Sequence, residues 1–548
     1  MLATLFSAAL SGLDGRPIRV EVDVANGLPG LTIVGLPDAA LSEARERVRS
    51  AIRNSGFEYP ARRITVNLAP AEVRKSGASF DLAIALGVLI GDGEIRPGAL
   101  DWAVLGELSL GGQVRPVPGV LPMVAVLVAA GHPRVAVPAM NLREARLVPG
   151  AEAVGVETLG EAVLLIAPRS RRARAAACPG TWSTPPGGGA GDPPRTGAEG
   201  AAADPDPVDP DPAALDGPRL PATRPGLETV DLSDVRGQAF ARWALEVALA
   251  GGHNLLLVGP PGAGKTLLAR TVPGLLPPLA DDEALEVTIV ASVAGHLLAG
   301  EGLRRVRPFR APHHTLSYAA MVGGGPAVSP GEVTLAHRGV LFLDELAEFD
   351  RDVLEALRQP LEDGSVAIAR VGRSVRFPAR FQLIAATNPC RCGYRDDPIE
   401  QCRCRPGDAE RYLHRVSGPL LDRIDCFVAM PRVAAHELLR APEPEASAPV
   451  ARRVAAALDV ALTRNGGRPN AALAGRHLRR VSTLDPPAAR LLERLADQAG
   501  YSARGTHRVL RVARTVADLR GRERISADDV AAAIALRQPD GERRRRAA

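Results

Sequence analysis

The 548-residue chain carries 67 Lys and Arg against 62 Asp and Glu, and is 46% hydrophobic but only 3% aromatic. That length allows more than one core, a net charge of +5 does not by itself announce a nucleic-acid binder, and six cysteines are too few for a disulfide-stapled secreted protein. Only two lysines occur, Lys75 and Lys265, so any chemistry that needs a side-chain amine must use one of them. The apolar start, residues 1–13, has no basic residue before Arg16 and reads as a strand rather than a signal peptide. The most apolar later run, 117–130, is broken by Pro118 and Pro122 and is too short to span a bilayer. A cytoplasmic protein with no membrane contact is expected.

Residues 1–167 read as a mixed α/β domain, with strands at 18–24, 31–34, 63–68, 102–105 and 134–137 and helical periodicity at 39–55 and 80–89. Residues 168–226 are rich in Pro, Gly, Ala, Asp and Arg, and repeated prolines and acids cannot bury enough apolar surface to offset ordering entropy. This stretch is expected to be a disordered linker. Residues 227–435 alternate strands and helices as a parallel sheet requires. Residues 436–548 read as a small all-α domain, with helices at 451–462, 488–499, 506–519 and 527–536, the last with Asp528 and Asp529 near its start. From 451 onward there are 21 arginines against 10 acids, so this end could meet a polyanion or simply be a solvated face.

The chemistry concentrates in the middle segment. A short apolar strand at 255–258 runs into Gly259, Pro260, Pro261, Gly262, Ala263, Gly264, Lys265 and Thr266, then a helix. Glycines let backbone N–H groups turn toward phosphate, Lys265 would reach the β/γ phosphates of ATP, and Thr266 would offer its hydroxyl to Mg2+. A second apolar strand ends in Asp344 and Glu345, suited to holding Mg2+ through water and polarising the attacking water. A third delivers Asn388 to the same edge, where it can orient that water. Arg423 is expected to reach a neighbouring subunit's γ-phosphate, the alternative being an intrachain pair with Asp422 or Asp425. Arg504 is expected to contact the γ-phosphate within its own chain, with Arg508 and Arg511 as competitors.

Segments 22–38, 63–85, 307–325, 339–345, 388–393, 417–425 and 502–519, together with the phosphate loop, resemble the YifB/ComM family of magnesium-chelatase-like AAA+ ATPases nearly end to end. The resemblance implies a multidomain α/β chain: a Lon-protease-like N-terminal domain, a P-loop AAA+ core of the helix-2-insert type and a helical C-terminal lid. It also implies assembly as a homo-hexamer and an ATP-driven DNA motor promoting branch migration in recombination or natural transformation. Ser79 sits where the Lon nucleophile would lie, but the position expected for its lysine falls at about Leu121, so the domain is read as a binding or assembly module rather than a protease.

Residues 362–378 read as a hairpin, which in related ring ATPases points into the pore. Arg370, Arg373 and Arg376 would then face a DNA backbone without sequence preference, the alternative being that Arg370 and Arg376 pair with acids on the surface. His313 and His314 could bind metal, though structural hydrogen bonding is the expected use. Cys390, Cys392, Cys402 and Cys404 could supply four thiolates to one zinc ion beside Asn388. Two other functions stay open: a metal-chelatase motor subunit, and a protein-remodelling ATPase or Lon-like protease.

Overall fold

The computed structural model describes residues 1–35, 39–70, 79–96, 101–168, 230–298, 301–325, 328–370, 373–395, 397, 399–434, 443–499 and 501–537. Apart from residue 168, the expected linker lies outside the described residues, as do Lys75 and the C-terminal arginine run at 543–546.

Alternation of β-branched and polar residues builds the first sheet. In β2 (Asp14–Ala25), Ile18, Val20, Val22 and Val24 are buried while their neighbours face outward. It pairs antiparallel with β1 (Leu2–Ser11) and with β4 (Arg63–Ala69), and β3 (Gly30–Val34) runs parallel to β4. Continuing through β5 (Ala103–Val104), β8 (Arg134–Pro138) and β9 (Glu152–Val156), the order is β3-β4-β2-β1-β5-β8-β9. The short strands β6 (Glu107–Leu108) and β7 (Val114–Arg115) form a separate hairpin.

The helix Asp81–Asp92 is buried from Asp81 to Gly91 and crosses the inner face of the sheet. A Cβ on Gly87 would lie 2.5 Å from Val22 Cγ2, so only glycine permits that approach. Asp81 at the helix start receives Arg47 Nε at 2.7 Å and Arg47 Nη2 at 3.2 Å. Burial pushes the Asp81 carboxyl up to about 6, against the opposing pull of Arg47. Arg47→Ala would leave that carboxylate buried without its cation, so a loss of about 3–5 kcal/mol is expected in chemical denaturation. A loss below about 1 kcal/mol would mean the pair contributes no more than a surface ion pair.

The apolar run around Pro118 and Pro122 is a helix, Val120–Ala129. Pro122 is its third residue, where no intrahelical donor is required, so the proline that reads as a break is accommodated. This helix packs on the opposite side of the β1–β2 hairpin, and Leu121 is buried, with its N–H donated to Glu144 Oε1 at 2.9 Å.

The second sheet is parallel throughout, in the order β11-β14-β17-β10-β18: β10 (Leu255–Val258), β11 (Phe309–Arg310), β14 (Val340–Leu343), β17 (Gln382–Thr387) and β18 (Cys426–Ala429). Two small antiparallel pairs stand apart from it, β12 (Gly323–Gly324) with β13 (Ser329–Pro330), and β15 (Ser365–Arg370) with β16 (Arg373–Pro378). The second is the expected hairpin.

The C-terminal region is helical as expected, at Ser447–Asn465, Pro486–Ala499, Ala503–Leu519 and Ala527–Ala535, with a further short helix at Gly475–Val481. Ser526 and Asp529 form a reciprocal cap at the start of the last main helix. Val509, Val512, Ala513, Val516 and Ala517 share one core with the helix Ala239–Gly251 and with β10. The first-sheet region touches the second-sheet region through the helix Asp281–Val293: Gly119 N donates to Ser292 O at 2.9 Å, Ser292 Oγ bonds Glu144, and Ile289 packs against the cluster around Val124.

Candidate active site

Register sets the site. Val258 pairs with Thr387 and Leu343 pairs with Ala385, so β10, β14 and β17 all end at one edge of the sheet. Residues that follow parallel strands there converge on a common crevice, as in other open α/β sheets. The crevice has a volume of 380 Å³ and is lined by Pro261, Gly262, Ala263, Gly264, Lys265, Thr266, Asp344, Glu345, Thr387 and Asn388 among others.

Gly262 and Gly264 have φ of 79° and 89°, with nothing within 4 Å of an added Cβ. Backbone conformation rather than space requires glycine at both, and it opens the loop toward the crevice. Gln238 Nε2 fixes the loop by donating to Ala263 O at 3.2 Å and Pro431 O at 2.7 Å. Lys265 folds back on the loop, donating to Gly259 O at 2.6 Å, Pro260 O at 2.9 Å and Asn388 Oδ1 at 3.1 Å. Burial pushes its ammonium below the usual lysine value, while Asp344 and Glu345 pull the other way. Thr266 Oγ1 donates to Asp344 Oδ2 at 2.6 Å, bringing the two expected Mg2+ ligands together across the crevice. Glu345 adopts the left-handed conformation, φ 52°, and its carboxylate lies 3.4 Å from His314 Nδ1.

These contacts unite Lys265, Thr266, Asp344, Glu345 and Asn388. Arg423 and Arg504 are not among the residues lining the crevice. Arg423 donates to Pro419 O at 2.7 Å and bonds Glu362, so its intrachain partner is neither Asp422 nor Asp425. Arg504 is exposed on the helix Ala503–Leu519, whereas Arg508 is buried, 3.8 Å from Asp422. In the hairpin, Arg376 is exposed and its Nε donates to Ser365 Oγ at 2.8 Å, with no acid involved in that bond. Arg370 and Arg373 are register partners at the hairpin tip, and their side chains lie outside what is described. Sequence reasoning missed Gln238 and the placement of His314. The adjacent His313 and His314 were visible, but only the fold brings one of them to Glu345.

An open glycine cradle, an amine bonded to loop carbonyls, and a hydroxyl–carboxylate pair opposite fit a nucleoside triphosphate and a divalent cation. Fold and site together define a phosphate-loop nucleoside triphosphatase. Three family models match the chain: Subunit ChlI of Mg-chelatase over residues 20–141, Magnesium chelatase, subunit ChlI over 231–438, and Magnesium chelatase, subunit ChlI C-terminal over 444–537. An uncharacterized protein of Mycobacterium tuberculosis is 44% identical over 99% of this chain and 100% of its own length. Competence protein ComM of Haemophilus influenzae and the uncharacterized protein YifB of Escherichia coli are each 39% identical, over 98% of this chain and 97% of theirs. The chain belongs to the YifB/ComM family of magnesium-chelatase-like AAA+ ATPases. That family implies ATP and Mg2+ at this crevice.

Proposed function

We propose that the chain is a cytoplasmic, ATP-driven ring motor, a homo-hexamer, that moves on DNA without sequence preference and remodels branched intermediates in recombination or natural transformation. The observation that carries this reading is the hairpin between β14 and β17, with Arg370 and Arg373 in backbone register at its tip and Arg376 exposed on its outgoing strand. Three arginines on one hairpin suit a phosphate backbone. Near-full-length likeness to Competence protein ComM supports it. No described helix is long and apolar enough to cross a membrane.

In this reading Lys265 holds the β/γ phosphates, Thr266 and Asp344 hold Mg2+, Glu345 activates the attacking water and Asn388 orients it. Bound Mg2+ would supply neutralisation of charge developing on the transferred phosphoryl group. Arg423 acts on the neighbouring subunit's nucleotide, and Arg504 couples the C-terminal lid, 436–548, to the core, 227–435. Residues 1–167 serve as a Lon-like binding or assembly module without peptidase activity. Supporting that, Leu121 is buried with its backbone tied to Glu144, which the ATPase helix covers through Ser292.

The test is ATP hydrolysis and branch migration on forked against linear DNA, with Lys265→Ala as the control that removes both. Arg370, Arg373 and Arg376 changed together to Ala should weaken DNA binding alike on all sequences and lower the salt slope by about one per lost phosphate contact. DNA that neither binds at low salt nor stimulates hydrolysis would sink the reading. The chelatase family models favour a second reading, a metal-insertion motor. Porphyrin-stimulated hydrolysis, with no response to DNA, would favour that alternative.

A further inference from the structure

Between Asn388 and the helix Asp408–Leu413 the chain leaves the sheet edge and returns with four cysteines turned toward one another. The Sγ atoms of Cys390 and Cys392 are 3.4 Å apart, those of Cys392 and Cys402 3.5 Å, those of Cys390 and Cys402 3.8 Å, and all four lie within 4.8 Å of one another. A zinc ion with Zn–S bonds of about 2.3 Å at the centre of a tetrahedron requires sulfur–sulfur edges of about 3.8 Å. The cluster has that size.

The loop closes on itself at the cluster, Gly393 N donating to Cys390 O at 3.0 Å. Four converging thiolates repel one another unless a cation lies between them, and four thiolates with one Zn2+ carry a charge of −2, which Arg391 and Arg403 in the same stretch partly offset. Cys390 is fully buried and the other three are half-buried, as in a closed structural site.

The loop also touches the crevice. Gly393, with φ 87°, packs so closely on the phosphate loop that an added Cβ would lie 2.6 Å from Pro261 Cδ and 3.9 Å from Asn388 Cγ. Asn388 in turn accepts from Lys265. We propose that Cys390, Cys392, Cys402 and Cys404 bind one zinc ion as a closed four-thiolate site, and that this clasp positions Asn388 against the phosphate loop. The clasp is tied at one end to the residue that orients water and rests at Gly393 on the loop that holds phosphate, so losing the ion loosens both. This rests on the nucleotide site, not on DNA as the substrate.

The experiment uses the full chain purified under reducing conditions without chelator. Elemental analysis should find about one zinc ion per chain, and cobalt exchange should give intense thiolate-to-metal charge-transfer absorption with the visible bands of a tetrahedral site. Protein without stoichiometric zinc that takes up cobalt without thiolate absorption would overturn the site. Zinc release by a mercurial thiol reagent should lower hydrolysis by about tenfold or more while far-ultraviolet circular dichroism is retained. Because Cys392→Ser could simply unfold the loop, Gly393→Ala tests positioning with all four thiolates in place. It should keep its zinc and lose a similar factor in kcat. Full kcat in zinc-loaded Gly393→Ala, or in folded metal-free protein, would overturn the positioning role.

Discussion

Arg423→Ala should lower ATP turnover by about 10³- to 10⁵-fold, the range set by arginine fingers that meet a transferred phosphoryl group. Nucleotide affinity should be nearly unchanged, because Arg423 stands outside its own chain's crevice, bonded to Glu362 and to the Pro419 carbonyl. A cation held in this way can exchange Glu362 for a neighbouring subunit's phosphate without unfolding anything. The trans assignment is checked by mixing. Arg423→Ala subunits keep an intact crevice but offer no arginine, whereas Lys265→Ala subunits lack the phosphate amine but keep the arginine. Each alone should be inactive, and a mixture should recover hydrolysis at junctions where an intact crevice faces an intact Arg423. Mixtures as inactive as the parents, in assemblies shown to exchange subunits, would place Arg423 in a structural role.

Glu345→Gln should reduce hydrolysis by about 10²- to 10⁴-fold, the usual contribution of a positioned general base, while leaving Thr266, Asp344 and Lys265 in their observed contacts. ATP should therefore remain bound and uncleaved, measurable as nucleotide that stays with the protein through gel filtration. Glutamine preserves the shape of a side chain held in the left-handed region at φ 52°, so a folding defect is not expected to mimic the loss. Hydrolysis within about tenfold of the unaltered protein would remove Glu345 as the base.

The parts of the site legible in the sequence are those in which a contiguous segment carries its own geometry. A strand leading into Gly259 through Thr266 states its conformation locally, and apolar strands ending in Asp344 or Asn388 need only a parallel sheet to bring their ends together. What was not legible depends on distant segments. Glu362 reaches Arg423 across 61 residues of sequence, and His314 meets Glu345 only because both flank the β14 end of the sheet. Neither has a spacing signal. The prolines at 118 and 122 keep the apolar run short, yet they do not prevent a helix: Val120–Ala129 begins after Pro118, and its first turn needs no donor from Pro122. The four cysteines fall between these cases, since their spacing suggested metal but only the folded loop brings all four sulfurs together.

The near-absence of lysine has a practical consequence for probing the molecule. Side-chain amines exist only at Lys75 and Lys265, and the Lys265 amine is buried beside the crevice with its ammonium held below the usual value. An acyl-phosphate derivative of ATP would therefore deliver its acyl group to a single neighbouring nucleophile. The resulting modified peptide would report nucleotide occupancy at Lys265, with Lys75 and the terminal amine as internal controls and almost no background from the remaining positions.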